Sequence, residues 1–303
     1  MLSILINFYN NRREAQNSLY SLSRAYARVP DLDYEVLAVG NGSTVPLSED
    51  FVRSFGPEFH FHYHATRSVS PVEALNGAAR EARGEHLMVM IDGAHILSPG
   101  ILPLVRRAFN AFEHPFIATT ALHLGPKPQD ESSLEGYTTQ VEDALLAGSH
   151  WRDDGYRLFN IAHAFGDRGF GWFGCPAESN CFALRRDDFL AIGGFDERFQ
   201  TRGGGLANLD LFRRAVSQET WDYVMLLGEA TFHQYHGAAP ASAAERQRRW
   251  DEFAAEYAQI RGMPFQQVER RPFFMGALPR EALVATSYSA YHGLNAWQKA
   301  SVR

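Results

Sequence analysis

Cysteine is nearly absent from this chain: Cys175 and Cys181 are the two among 303 residues, and no CxxC spacing occurs. That rules out a disulfide framework or a cysteine-built zinc site and predicts free thiols in a reducing compartment. Long apolar runs are missing too; none approaches the roughly 20 residues that a membrane-spanning helix needs. The first residues, MLSILINFYNN, lack a basic stretch and a small-residue cleavage site, so no secretory leader is expected. Positive charge is not in excess. With 29 Lys and Arg against 35 Asp and Glu, the net charge of −6 argues against general affinity for nucleic acid or anionic lipid. Glycine is lacking where it would matter for two enzyme classes. The turn after the first apolar run reads FYNNRRE, which fits neither the G-x-G-x-x-G of a dinucleotide-binding oxidoreductase nor the glycine-rich basic loop of a nucleotidyltransferase. Repeats and low-complexity linkers do not occur.

What is present is an ordinary globular composition, 45% hydrophobic and 21% charged, in a chain long enough for a sizeable core. Leu2–Phe8 is apolar except for Ser3 and Asn7, the pattern of a strand buried on both faces. A helical stretch follows over Arg13–Ala27, then a strand over Tyr34–Val39 ending in Gly40-Asn41-Gly42-Ser43-Thr44. Phe59–Ala65 alternates aromatics with His60, His62 and His64, which alternation alone explains as one face of a half-buried strand. Pro71–Arg83 reads as a helix with Gly84 past its end, Glu85–Asp92 as a strand, and Pro99–Phe112 as a helix. This alternation predicts an α/β fold with a mostly parallel sheet covered by helices on both faces. In such sheets ligands sit beyond the carboxyl ends of the strands, so Tyr9-Asn10, Gly40-Asn41 and Asp92–His95 should meet in one crevice. Residues 125–180 are polar, glycine-rich and aromatic, with one helix expected near Thr138–Leu146. Strands are predicted over Asn180–Arg186 and Asp222–Phe232, and helices near Asn208–Val216 and over Ala241–Arg261.

Several segments, taken in order, resemble the family 2 glycosyltransferases of GT-A fold. They are ILINFYNNRRE, EVLAVGNGST, ALNGAAREARGEHLMVMID, IGGFDERF and GEATFHQYHG, spread over roughly residues 1–240. The resemblance implies a GT-A, Rossmann-like sheet with a nucleotide-binding half at 1–115 and an acceptor-side half at 116–240. A helical extension, 241–303, would pack on that domain. It further implies transfer of a sugar from a nucleoside-diphosphate sugar to a hydroxyl of a glycan or lipid-linked glycan, in surface-polysaccharide biosynthesis. The setting would be cytoplasmic, free or peripheral to the inner face of the membrane. Nucleotide contacts are expected from Tyr9, Asn10, Asn41, Arg67 and Asp92.

The departures from the family pattern concern carboxylates. Its D-D-G-S element has Gly40 and Asn41 in the two acidic places; Asn both donates and accepts hydrogen bonds, so base recognition can survive with altered preference. The D-x-D element is Asp92-Gly93-Ala94, followed by His95. A departing diphosphate needs its charge stabilised, and a divalent cation, Mn2+ or Mg2+, does this. Asp92 and His95, closed by His233 or His236, are the expected ligands; on a strand, residues three apart point to opposite faces, so one of that pair is expected to coordinate. The acidic element on the acceptor side is replaced by Ala207 and Asn208. Asp210, Glu178 and His163 are then the candidates for activating the acceptor hydroxyl in an inverting displacement; the alternative, a retaining enzyme, requires no protein base for the acceptor. Trp172 and Asn208 are candidate acceptor contacts, an aromatic face being suited to a sugar ring. A catalytically degenerate sugar-nucleotide or glycan-binding protein of the same fold is the rival, since three acidic elements carry substitutions.

Overall fold

A computed structural model describes residues 1–66, 68–163, 170–237 and 242–300. Its described strands are β1 (Leu2–Phe8), β2 (Tyr34–Asn41), β3 (Phe59–His64), β4 (His86–Met90), β5 (His95–Leu97), β6 (Pro115–Leu124), β7 (Ala162–His163), β8 (Cys181–Arg185), β9 (Asp222–His233) and β10 (Phe273–Gly276). They make one sheet in the order β10-β9-β6-β8-β4-β1-β2-β3, with β5 added against β9 and β7 against β6. Pairing is parallel for β4-β1-β2-β3 and for β6-β9-β10, while β8 runs antiparallel between β4 and β6. The mostly parallel α/β sheet expected from the sequence is observed.

Every residue of β1 and β2 is buried, because helices cover both faces. On one face Ile4, Ile6 and Phe8 pack with Ala15 and Leu19 of the helix Arg12–Ser21 and with Ile101 and Val105 of the helix Ile101–Ala111. On the other, Leu5, Leu37 and Val39 pack with Leu75 and Ala78 of the helix Val72–Glu81, in a layer that also holds Leu211 and Phe212 of the helix Ala207–Val216. The histidines of β3 behave as alternation required: His62 and His64 face the helix beside them, 3.5 Å from Glu81 and 3.6 Å from Glu73. One expected helix is broken. Arg13–Ala27 divides into Arg12–Ser21 and Arg24–Ala27, because Ser23 is extended, and the second piece carries Tyr26 to the carbonyl of Leu97 at 2.7 Å.

Because β4, β1 and β2 are adjacent and parallel, their carboxyl ends share one edge. That edge carries Asp92, Tyr9-Asn10 and Asn41. On the other half of the sheet, register lines up histidines across four strands: His95 of β5 opposes His233 of β9, which opposes His123 of β6, which opposes His163 of β7.

The carboxy-terminal part, expected to be helical, holds the helices Ala243–Arg261 and Leu283–Ala300 and also supplies β10 to the sheet. Tyr257 of the first helix is fully buried. Its Glu256 carboxylate accepts from the backbone N–H groups of Gln200 and Thr201, and its Arg261 pairs with Asp210. Between β9 and β10 the chains approach closely at Gly228, where φ is +80° and a Cβ would overlap the carbonyl oxygen of Ala277. Gly228→Ala is therefore expected to destabilise the fold by about 2 kcal/mol or more, read by chemical denaturation.

Candidate functional site

Asp92 lies just past β4, where the sheet gives out and a carboxylate meets the crevice. Gly93 must be glycine, since any side chain there would overlap the carbonyl of Asn7 and the ring of Phe8. That tight turn lets the Ala94 N–H donate to Asp92 Oδ1 at 2.9 Å, with Asn11 Nδ2 at 3.4 Å from the same oxygen. The other oxygen, Oδ2, faces three imidazoles: His233 Nε2 at 3.2 Å, His236 Nε2 at 3.9 Å and His95 Nε2 at 4.0 Å. Donor atoms of Asp92, His95 and His233 all lie within 4.8 Å of one another, a separation that one metal ion can bridge.

One of His233 and His236 was expected to coordinate; both approach Asp92, and of the two His233 shares the group of donor atoms within 4.8 Å of one another. Strand alternation does not apply, because β9 ends at His233. Beyond it Gln234 is fully buried and pinned: its N–H donates to the Ala94 carbonyl at 2.7 Å, and its side chain bonds Asn17, Ser18 and Glu14. The chain turns there and brings His236 back to the same carboxylate.

The surroundings fix the rings. His95 Nδ1 is 3.1 Å from Thr231 Oγ1. Gln129 donates from Nε2 to the His233 carbonyl at 2.8 Å, so its Oε1 is the atom 2.7 Å from His233 Nδ1. That nitrogen must therefore carry a proton. In the neutral ring the Nε2 lone pair then points at the Asp92 carboxylate, an arrangement that calls for a cation, proton or metal, between them. Burial, with His233 beside it, pushes His95 down to about 3; burial also lowers His236. Burial works against the charge of Asp92, but the His233 hydrogen bond and the three imidazoles outweigh it and hold the carboxyl below the usual range. At neutral pH the cluster thus offers one carboxylate and the neutral imidazoles of His95 and His236, the states that ligate metals.

This cluster opens into a cavity of about 610 Å³ lined by Tyr9, Asn10, Asn41, Asp92, Glu178, Asn208 and His236, so these candidates converge. Tyr9 is 37% exposed, with its ring open to the cavity. Asn10, at φ +57°, also locks the adjoining loop by accepting from the N–H and hydroxyl of Thr44, both at 2.9 Å. Asn41 donates to the Ser70 carbonyl at 3.1 Å, and Asn208 donates to the Glu178 carboxylate at 2.9 Å. Their Oδ1 atoms, and that of Asn7, are buried without a partner among the described residues, and all three residues line the cavity. A ligand presenting N–H or O–H groups would satisfy them.

Asn7, Asn180 and Arg202 also line the cavity and were not singled out from the sequence. Asn7 had a signal, a lone amide in an otherwise apolar strand; Gln129 and Thr231, which orient the histidines, had none.

Three candidates are placed elsewhere. Asp210 is fully buried, held by Arg214 at 2.8 Å and by Arg261 at 2.6 Å to both of its oxygens, and it does not line the cavity. Its charge is spent on the carboxy-terminal helix, so it cannot take an acceptor proton. Trp172 is fully buried, donating its Nε1 to the Glu229 carbonyl at 2.9 Å, and presents no face to a sugar. His163 stands opposite His123 on β7 and is not among the lining residues. Arg67 lies outside the described residues. Asp210→Ala is expected to cost about 3 kcal/mol in a denaturant titration, because it leaves Arg214 without its buried counter-charge and Arg261 with Asp196 alone.

Residues 3–142 match the family described as Glycosyl transferase family 2. Among solved structures the chain is similar to the mannosyltransferase PcManGT from Pyrobaculum calidifontis, in complex with GDP-Man and Mn2+. Identity is 14% and the TM-score 0.50, over 99% of this chain and 73% of that one. The chain has a GT-A, family 2-like glycosyltransferase fold. It is also similar to S. aureus TarS, at 13% identity and a TM-score of 0.50, over 85% of this chain and 39% of that one. Against TarS 1-349 the identity is 12% and the TM-score 0.49; 85% of this chain is covered, and it spans 65% of that fragment's length. Comparison with curated proteins found no match.

Within this GT-A sheet the histidine row has a pH signature. Burial, with His233 and His163 nearby, pushes His123 down to about 3 from an ordinary 6.5. Between these values the unfolded chain binds a proton that the folded chain does not. The stability His123 contributes is therefore complete above 6.5 and is lost as pH falls. Denaturation followed from about pH 7.5 to pH 5.5 should show a loss of about 1 kcal/mol from this residue, and His123→Gln should flatten the profile by that amount.

Proposed function

We propose that the chain transfers a hexose-type sugar from a nucleoside-diphosphate sugar to a hydroxyl of a glycan or lipid-linked glycan, with a divalent metal held by Asp92, His95, His233 and His236. The observation that carries this reading is the opening of the Asp92 and histidine cluster into a cavity of about 610 Å³ that holds three partnerless amide oxygens. The match of residues 3–142 to glycosyl transferase family 2 supports it, as does the likeness in fold to PcManGT, which is seen with GDP-Man and Mn2+. A bound divalent cation would neutralise the departing diphosphate. Tyr9 offers its ring to a base, and Asn41 Oδ1 accepts from a base N–H. Arg202 adds positive charge to the cavity wall. Besides Asp92, Glu178 is the one carboxylate among the lining residues. It takes the acceptor proton as the acceptor oxygen bonds to the anomeric carbon and the bond to the diphosphate breaks.

The absence of an acidic residue at Ala207 and Asn208 favours a second reading, a protein of this fold that binds a donor without turning it over. No described helix is long and apolar enough to cross a membrane, so a lipid-linked acceptor would be met at its headgroup. A thermal-shift panel of nucleoside-diphosphate sugars, with and without Mn2+, tests donor binding; a donor at hundredfold excess over its dissociation constant stabilises by about 2.7 kcal/mol. Asp92→Asn should abolish the metal-dependent part of the shift. Release of free sugar from the stabilising donor, lost in Glu178→Gln, marks an enzyme; binding without release marks the second reading. Stabilisation by none of the panel would sink both.

A further inference from the structure

The donor atoms of the Asp92 cluster are unusual in kind for a site facing a diphosphate. Four side chains meet, and only one of them brings oxygen. Even that carboxylate is half engaged, since Oδ1 accepts from Ala94 N and lies within reach of Asn11 Nδ2. What remains for a cation is Asp92 Oδ2 and the imidazoles of His95 and His233, with His236 Nε2 3.9 Å from the same oxygen. Mg2+ and Ca2+ are hard ions that take oxygen ligands, and Mg2+ gives up its water reluctantly. Imidazole nitrogen suits the first-row transition metals, whose affinity for a given nitrogen and oxygen site rises from manganese toward zinc and copper.

From this arrangement we infer that the site selects a first-row transition metal and discriminates against Mg2+ and Ca2+, with His95 as the residue that sets the preference. His95 is singled out by its rigidity. It is 2% exposed, sits within β5 in register with His233, and its Nδ1 is tied to Thr231. It has no alternative place to go when the cation changes, whereas His236 stands on a turn beyond β9. His233 is likewise oriented, by Gln129, with Nε2 turned toward the carboxylate. Two of the three rings are thus aimed before any ion arrives, and the oxygens that Mg2+ would require are not supplied by the protein.

The inference rests on the proposed metal role of this cluster and deepens it, and its test needs neither donor nor acceptor. The untagged chain is freed of metal with a chelator and titrated separately with Mg2+, Mn2+, Co2+ and Zn2+ by calorimetry, with the visible absorption of bound Co2+ as a second readout. The expected result is one tight equivalent of Co2+ and of Zn2+, a weaker one of Mn2+, and Mg2+ weaker than Co2+ by roughly a hundredfold or more. Both Asp92→Asn and His233→Ala should lose the Co2+ band. His95→Asp should narrow the gap between Co2+ and Mg2+ by at least about tenfold. Should that variant fail to fold, His95→Gln carries the same comparison through lost Co2+ affinity. Mg2+ binding as tightly as Co2+, no stoichiometric binding of any of the four ions, or an unchanged preference when His95 is replaced would overturn the inference. A chain that binds Co2+ as described but no nucleoside-diphosphate sugar would leave this inference standing and remove the proposed function instead.

Discussion

A carboxylate that is pulled from water needs compensation, and the site is arranged around how Asp92 obtains it. One oxygen is satisfied by the peptide N–H of Ala94, two residues on; the other is left to imidazoles from the paired strands β5 and β9 and the turn after β9. Without them, a charge in this half-buried place would be left partly desolvated. The neighbours hold it ionised and aim it. Since His95 enters from β5 and His233 and His236 from the end of β9, the carboxylate links the β4-β1-β2 half of the sheet to the β6-β9 half. The cavity lies at that junction.

Sheet register does much of the positioning. His95, His233 and His123 stand side by side because three strands are paired at those residues, and the rings follow, with centroids 4.9 Å apart for His95 and His233 and 5.4 Å for His123 and His233. Parallel pairing of β4, β1 and β2 then places Asp92, Tyr9 and Asn41 at one edge. These are backbone facts, so the histidine row persists whatever the cavity contains, while the cavity wall opposite depends on side-chain bonds such as that from Asn208 to Glu178.

Much of this was legible in the residues. Continuous apolar runs at Leu2–Phe8 and Tyr34–Val39 can be buried on both faces only in a covered parallel sheet, and the residues at their carboxyl ends had to meet. Asp92 and the histidines of HQYH were visible for the same reason. Three things were not. The turn that returns His236 to the carboxylate depends on Gln234, whose partners come from the helix Arg12–Ser21, over 200 residues earlier in the chain. Asp210 looked available because its counter-ion Arg261 lies 51 residues away and on another helix. Trp172 sat in a polar, glycine-rich stretch that suggested exposure, yet the stretch folds inward and the indole finds a carbonyl of β9. Each miss is a long-range partner, which local pattern does not encode.

The helix Ala243–Arg261 reaches back to the cavity through the bonds it makes. Glu256 holds the backbone at Gln200 and Thr201, immediately before Arg202 and its glycines, and Arg261 grips the helix that presents Asn208. It therefore acts as an external splint for one bank of the cavity, made from residues far beyond the 3–142 span that matches the family. A fragment cut at the end of β9 would keep the bank that carries Tyr9, Asn41 and Asp92, and would forfeit the rigidity of the facing one. The bracing of the facing bank thus reaches as far along the chain as Arg261.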